Sequence, residues 1–385
     1  MARHVLLATL LAVAAAIFLY TTEAPIGDPL WWLTNDQPPR VTIQGPSGPL
    51  RGTADGVITL DPADRSRIVS AVVDGAPVGA RGSHVAVDSA GLPDGSHQVL
   101  VTVRDTSRRE NQAQATWTFA SENTGPQLDV RTDPPNGPQE GRTAVLRIVP
   151  SKAAASLTAT LGDQPLRVQA SDDGSFWALV GVPPDPPSSR LALAIQADDR
   201  LGNTSTLERE LAVAHTDFAE DNLELEPGMA ALLTPRTLDA ESARLRPVYA
   251  ADGGPPRWSG PFRLPVSGDI TTEFGTHRSY EYHPGTDFAA ASGTPVAAPA
   301  PGVVTFEGQT QLHGNTLILD HGGGVFTTYA HLQRFEVEPG QSVKTGDVIA
   351  RVGSTGLSTG PHLHWELWVG GADVDPVQWT ERQFP

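Results

Sequence analysis

Of the eleven histidines in this 385-residue chain, His277, His283, His313, His321, His331, His362 and His364 all fall in its last third. Imidazole is both a metal ligand and a proton carrier near neutral pH, so such clustering calls for a chemical reading. The segment Gly360-Pro361-His362-Leu363-His364-Trp365-Glu366-Leu367-Trp368-Val369 leaves a Gly-Pro turn and then alternates as a strand does. Leu363, Trp365, Leu367 and Val369 share one face, and His362, His364, Glu366 and Trp368 share the other. The two imidazoles then lie about 6.6–7 Å apart along the strand, so one could bind a metal while the other reaches past it. A bare H-x-H is weak support for a metal site. In His283-Pro284-Gly285-Thr286-Asp287 the Pro and Gly exclude a regular helix, which leaves a turn entering a strand. Such a turn could bring an imidazole and a carboxylate onto one ion. His283, Asp287 and His364 would then make a two-His, one-carboxylate site with its fourth position open; Asp287 as a plain turn residue is the alternative. His331, in Tyr329-Ala330-His331-Leu332, follows the turn Asp320-His321-Gly322-Gly323-Gly324 and, taken alone, reads as structural.

Taken together, these pieces carry a resemblance. Residues from about Phe262 to Trp379 resemble the lysostaphin/LytM-type zinc metalloendopeptidases of bacterial cell wall. The matches run in order. Thr272-Glu273-Phe274-Gly275 with Arg278 comes first, followed by His283-x-x-x-Asp287, Gly293-Thr294-Pro295-Val296 and Gly302-Val303-Val304. Gly314-Asn315, Asp320-His321-Gly322 and Tyr329-Ala330-His331-Leu332 come next. Gly340-Gln341-x-Val343-x-x-Gly346 and the run from Gly353-Ser354-Thr355-Gly356 to Pro361-His362-Leu363-His364 complete it. The resemblance covers about a third of the chain and nothing upstream, and its glycines fit tight turns of an antiparallel β fold. It implies zinc held by His283, Asp287 and His364, with His331 and His362 as the catalytic pair beside it. It also implies peptidoglycan stem peptides or cross-bridges as substrate. Such chemistry needs no Glu as base, and the chain has no H-E-x-x-H. His277, His313 and His321 are expected to be structural or solvated, whereas Arg278 and Tyr282 are candidates for substrate contact. Some LytM-like domains have lost their zinc ligands and activate separate wall amidases, so a silent adaptor is the alternative; here all five residues are present.

The elements upstream of that segment are expected to be mainly β. Val73-Asp74-Gly75-Ala76-Pro77-Val78 is echoed by Leu161-Gly162-Asp163-Gln164-Pro165-Leu166, and each echo precedes a turn signal, Asp94-Gly95 or Asp173-Gly174. Each unit then closes with an alternating strand, a polar turn containing Asn111 or Asn203, and a last strand. Short strands at this spacing, in units of about 90–100 residues, predict two β-sandwiches that resemble bacterial immunoglobulin-like repeats, over 40–121 and 122–215. Spacing the rest of the chain from its anchor is their expected role, with a cell-wall or surface partner as the alternative. Residues 216–260 read as a helical connector with Thr234 as N-cap, Pro235 in the first turn and Pro247 as the stop. This segment could lie over a cleft and inhibit the domain it precedes. An antiparallel-β peptidase domain is expected over 261–382.

Composition narrows the function classes. A formal net charge of -17 with no Lys/Arg-rich run argues against nucleic-acid binding. The chain has no cysteine, which excludes a thiol nucleophile, a Cys-ligated zinc site and a disulfide framework. Arg3 and His4 precede an apolar run from Val5 to Tyr20, so residues 1–24 read as a signal peptide or an uncleaved signal anchor. Either reading places the rest of the chain outside the cytoplasm, membrane-anchored or secreted. The Pro-rich stretch 25–39 reads as a linker whose Trp31 and Trp32 either rest at the membrane interface or pack on the next domain.

Overall fold

A computed structural model describes residues 30–221, 231–251, 253–278 and 282–385. The chain separates into two compact units, one ending at Thr124 and the other running from Gly125 to Pro385, and both are mainly β. The N-terminal apolar run and the start of the linker lie outside the described residues, as does part of the expected connector, 222–230. No helix among the described residues is long and apolar enough to cross a membrane.

In the first unit two four-stranded antiparallel sheets enclose one apolar core. One sheet pairs, in spatial order, Arg40–Gln44, Thr53–Asp61, His84–Asp88 and Ala80–Arg81. The other pairs Ala76–Pro77, Ser66–Val73, Gly95–Asp105 and Gln112–Ser121. Alternation drives this packing: on Gly95–Asp105, His97, Val99, Val101, Val103 and Asp105 all point inward. Of the linker tryptophans, Trp31 packs beneath the Arg65 guanidinium, while Trp32 is 55% exposed.

The second unit opens with the same arrangement. Leu128–Asp133, Thr143–Pro150, Phe176–Gly181 and Gln169–Ala170 form one sheet, and Gln164–Pro165, Ser156–Leu161, Arg190–Asp198 and Thr204–Ala212 form the other. Strand for strand this is the order of the first module, so the echo in sequence has a topological counterpart. The turn asparagines do matching work. Asn111 bonds the buried Asp105 through its backbone N–H and its Nδ2, and Asn203 bonds the buried Asp199 in the same two ways. A carboxylate thus satisfies turn donors that are shut off from water.

Alternation breaks down on Thr143–Pro150, where Thr143, Ala144, Val145 and Leu146 are all buried. Ala144, Leu146 and Ile148 enter the module's own core, whereas Val145 joins Leu179, Phe262, Val325, Leu367, Val369 and Trp379 in a separate apolar cluster. Gln378 and Trp379 also bond the backbone and hydroxyl of Thr143. The second module is therefore packed directly against the C-terminal sheet.

The strands of that sheet are β1 (Ile270–Thr272), β2 (Thr286–Ala289), β3 (Gly302–Gln309), β4 (Asn315–Asp320), β5 (Val325–Ala330), β6 (Ser342–Val343), β7 (His362–Val369) and β8 (Ala372–Val374). They lie in the order β1-β2-β7-β5-β4-β3-β6, with β8 paired to the far half of β7. One face, carrying Phe288, Leu317, Tyr329, Leu363 and Trp365, buries against the three-stranded sheet of Pro295–Ala297, Val348–Arg351 and Arg334–Phe335. The opposite face carries the histidines of β7.

Helix α1, Pro235–Tyr249, lies on that histidine face. Thr234 caps it, its hydroxyl accepting from the Thr237 N–H, and Pro235 occupies the first turn as expected. Pro247, by contrast, does not stop it. The helix runs two residues further because its last turn is held from outside. Tyr249 stacks on Trp368 at 4.2 Å and shares a 2.7 Å hydrogen bond with Thr328 Oγ1, while Leu245 packs on Ile318 and Phe326. One lost backbone bond near a helix end is a small cost against that burial.

Candidate metal centre

Pairing of β2 with β7 sets Asp287 directly across from His364, and pairing of β7 with β5 sets Ala330 on its other side. His283 stands at the turn before β2, so one strand crossing gathers three potential ligands. His283 Nε2 lies 3.0 Å from His364 Nδ1 and 3.2 Å from Asp287 Oδ1, and His364 Nδ1 lies 2.8 Å from the same oxygen. Gly285 is required here, because a Cβ would meet the Trp365 carbonyl at 2.6 Å and the His364 ring at 2.8 Å.

The hydrogen bonds on the far sides of these rings decide what faces inward. His283 Nδ1 donates to the Glu273 carbonyl, and His364 Nε2 donates to Glu366 Oε1. The remaining nitrogens then present lone pairs to each other and to a carboxylate oxygen. Three acceptors at such range repel unless a cation lies among them. The edges of a tetrahedron with arms of about 2.0–2.1 Å are about 3.4 Å, close to the observed triangle. The donor set therefore fits zinc. With no cation bound, protons on the facing ring nitrogens take its place: burial works against the Asp287 carboxylate, but the resulting hydrogen bonds from His283 and His364 hold it far below the usual carboxylate range. Burial depresses His283, which keeps its ring neutral, as a ligand must be.

Beside this triangle stand the other two expected residues. His362 Nδ1 donates to the Gly360 carbonyl at 2.8 Å and its Nε2 is 3.7 Å from Asp287 Oδ1. His331 Nδ1 donates to the Thr355 carbonyl at 2.8 Å, and its ring centroid is 4.7 Å from that of His362. The Gly353-Ser354-Thr355-Gly356 loop and Asn315 supply that acceptor: the Asn315 N–H donates to Thr355 Oγ1, which in turn donates to the Leu332 carbonyl. All five residues line one cavity of about 380 Å³, together with Arg278 and Tyr282. Arg278 Nη2 approaches Asp287 Oδ2 at 3.8 Å, and the Tyr282 hydroxyl donates to Asp373.

Residues 281–376 match Peptidase family M23. The C-terminal domain is a family M23 peptidase domain. Over 99 residues it is 50% identical to the DD-carboxypeptidase/endopeptidase Mpg of Neisseria meningitidis, a match covering 26% of this chain and 23% of that protein. Over 117 residues it is 41% identical to the peptidoglycan DD-endopeptidase ShyC of Vibrio cholerae, covering 30% of this chain and 25% of that one. The chain thus spans about a quarter of the length of these curated relatives. The crystal structure of a peptidase M23 from Pseudomonas aeruginosa covers 63% of this chain and 95% of its own, at 27% identity and a TM-score of 0.50.

The remaining histidines of the M23 domain divide. His277 is a framework residue: its backbone bonds Ala219 and Asp221, and its ring meets Phe218 edge-on. His321 is also structural, fully buried between the Pro301 carbonyl and Thr327, where burial pushes its pKa down to about 4. His313 is different. Its Nδ1 bonds Glu241 of α1 and its Nε2 bonds Glu366 of β7 at 2.8 Å. Burial disfavours its charge, but Glu366 and Glu241 outweigh that and push its pKa up to about 10. Neither Glu241 nor His313 is marked by any motif, because their partners are far away in sequence.

A second set of catalytic residue types lies outside the M23 domain. His97 bonds Asp74 Oδ2 at 2.6 Å and lies 2.9 Å from Ser121 Oγ, as in a Ser-His-Asp triad. Ser121, however, is 1% exposed and donates its proton to the Pro93 carbonyl. This is a structural clasp with no room for a substrate.

Proposed function

We propose that the M23 domain is a zinc-dependent endopeptidase that hydrolyses the peptide cross-links of bacterial peptidoglycan, and that it works outside the cytoplasm. The observation that carries this reading is the convergence of His283 Nε2, Asp287 Oδ1 and His364 Nδ1 on one point of an open cavity. Zinc, when bound by these three, would supply Lewis acidity toward a scissile carbonyl and a water. The chain's own residues do the rest. His283 and His364 are locked into one tautomer by Glu273 and Glu366, so their metal-facing nitrogens need no reorganisation. His331 and His362 each spend Nδ1–H on a backbone carbonyl, which leaves Nε2 to accept a proton and return it to a leaving amine. The endopeptidase names of the relatives Mpg and ShyC support peptidoglycan as the substrate class. The N-terminal apolar run supports export.

The test uses the purified protein and intact peptidoglycan, with and without a chelator, and identifies released fragments by mass. Chelator-sensitive release of peptide fragments is expected, and their masses name the bond cut. Release that survives chelation excludes zinc dependence. A protein that holds no zinc and releases nothing belongs to the silent-adaptor class.

A further inference from the structure

Glu241 is a carboxylate 7% exposed on a helix outside the metal triangle, and its bonds form a chain that leads to it. Its Oε1 accepts from Thr310 Oγ1 at 2.9 Å, from the His313 N–H at 3.1 Å and from His313 Nδ1. Its Oε2 accepts from the Leu312 N–H at 2.8 Å. The turn between β3 and β4 is thus wrapped around one helix side chain. His313 passes the contact on in two directions. Its Nε2 donates to Glu366 Oε1, the same oxygen that takes the Nε2–H of His364 at 3.0 Å. Its backbone carbonyl accepts the His331 N–H at 2.8 Å.

We propose that Glu241 and His313 are positioning residues of the metal centre, acting on His364 through Glu366 and on His331 through the loop backbone, so that helix α1 is a working part of the site. This rests on reading His283, Asp287 and His364 as the zinc ligands. Glu241 and Tyr249 are about 12 Å apart along the helix. Their strand neighbours Glu366 and Trp368 continue the row that begins with His362 and His364, about 20 Å in all. Tyr249 meets Trp368 and Glu241 meets His313 beside Glu366, so the helix grips the polar face of β7 at two points.

Two simpler accounts fit less well. A helix anchor alone does not need a buried carboxylate, since Leu245 and Tyr249 already seat α1, and burying a charge is costly unless it is fully bonded. His313, His364 and Glu366 are also close enough to hold a second cation. Glu366 Oε1, though, already takes two N–H donors, and Glu366 Oε2 takes the Trp368 indole N–H.

Zinc affinity of the full chain, measured by competition with a chromophoric chelator, separates these accounts. Glu241→Gln and His313→Gln are each expected to weaken zinc binding about 10–100-fold, as loss of outer-shell partners does. The double variant should be no weaker than the worse single one, because both act along one chain. Thr234→Ala, which loosens the helix cap and leaves Glu241 in place, should lower the melting temperature with no change in affinity. Wild-type affinity in folded Glu241→Gln and His313→Gln overturns the proposal, as do multiplying losses in the double variant or two zinc ions per wild-type chain. Wild-type protein that binds no zinc instead overturns the reading beneath it. Histidine-selective nitrogen NMR of the zinc-loaded wild type needs no variant: a proton on His364 Nε2 is expected, and its absence there also overturns the proposal.

Discussion

His331 shows how much of the site is fixed by single side chains and their immediate partners. It follows directly on β5 with φ at 57°, in the left-handed region, which costs an ordinary residue roughly 1–2 kcal/mol. Two bonds hold it there, from its N–H to the His313 carbonyl and from Nδ1 to the Thr355 carbonyl. Burial, with nearby histidines adding to it, pushes its pKa well below the usual value, so the ring is neutral at pH 7 with Nε2 ready to accept a proton. His331→Ala and His362→Ala are therefore expected to keep zinc and lose at least about a hundredfold in hydrolysis, whereas His364→Ala should lose zinc itself. A variant at either of these two positions that hydrolyses peptidoglycan at the wild-type rate would sink the proposed roles.

His313 gives a second prediction at this scale. Its pKa is raised from 6.5 to about 10, so its stabilising effect is complete below pH 6.5 and fades as pH rises through about 10. Glu241, lowered from 4.5 to about 2, stabilises above 4.5 and loses that as pH falls toward 2. The titratable groups facing His313 are Glu241 from α1, Glu366 and His364 from β7, and His331 after β5. Between about pH 7 and 9.5 the melting temperature of metal-free wild type should therefore fall more steeply than that of His313→Gln; parallel curves would show that the pair is not coupled to folding. The contrast with the five expected residues is instructive. His283, Asp287, His331, His362 and His364 are legible because each sits in a short local string. His313 acquires its place from Glu241, 72 positions away, and from Glu366, 53 positions away, and no local pattern encodes either pairing.

At the scale of elements, helix α1 carries the argument. Its start was legible from Thr234 and Pro235, since capping is a local matter, and Thr234→Ala should cost about 1 kcal/mol. Its end was not, because Tyr249 on Trp368 is a tertiary contact that outweighs the local signal of Pro247. Its function divides two ideas. Leu233 and Leu238 line the cavity of the metal centre, which suits a segment that obstructs substrate. The Glu241 chain instead makes the same segment a support. If obstruction dominates, a protein cut to residues 258–385 should hydrolyse peptidoglycan faster than one spanning 25–385. We expect the reverse, slower hydrolysis with weaker zinc binding, since the cut leaves the His313 loop without its partner.

For the molecule as a whole, the second module matters more than its lack of chemistry suggests. Its repeat was legible from spaced strands and turns, but the outward-facing apolar residues of Thr143–Pro150 and Phe176–Gly181 look like ordinary strand residues until the fold is known. Val145 and Leu179 bury against Val325, Leu367 and Val369, and the last two lie on β7, the strand that carries His362 and His364. Apolar burial on the face of this strand opposite the histidines couples the module to the site, each buried aliphatic side chain adding about 1.5–3 kcal/mol. Ligand binding stabilises every part that unfolds together with the site. Zinc should therefore slow amide hydrogen exchange in the module core, at Leu193 and Ile195, as well as on β7. Val145→Asp places a charge in the shared cluster and should abolish that effect at Leu193 and Ile195 while β7 still responds. Protection confined to β7 in the wild-type chain would mean that the module unfolds on its own, and that its packing on the peptidase sheet is too weak to transmit the metal's stabilisation.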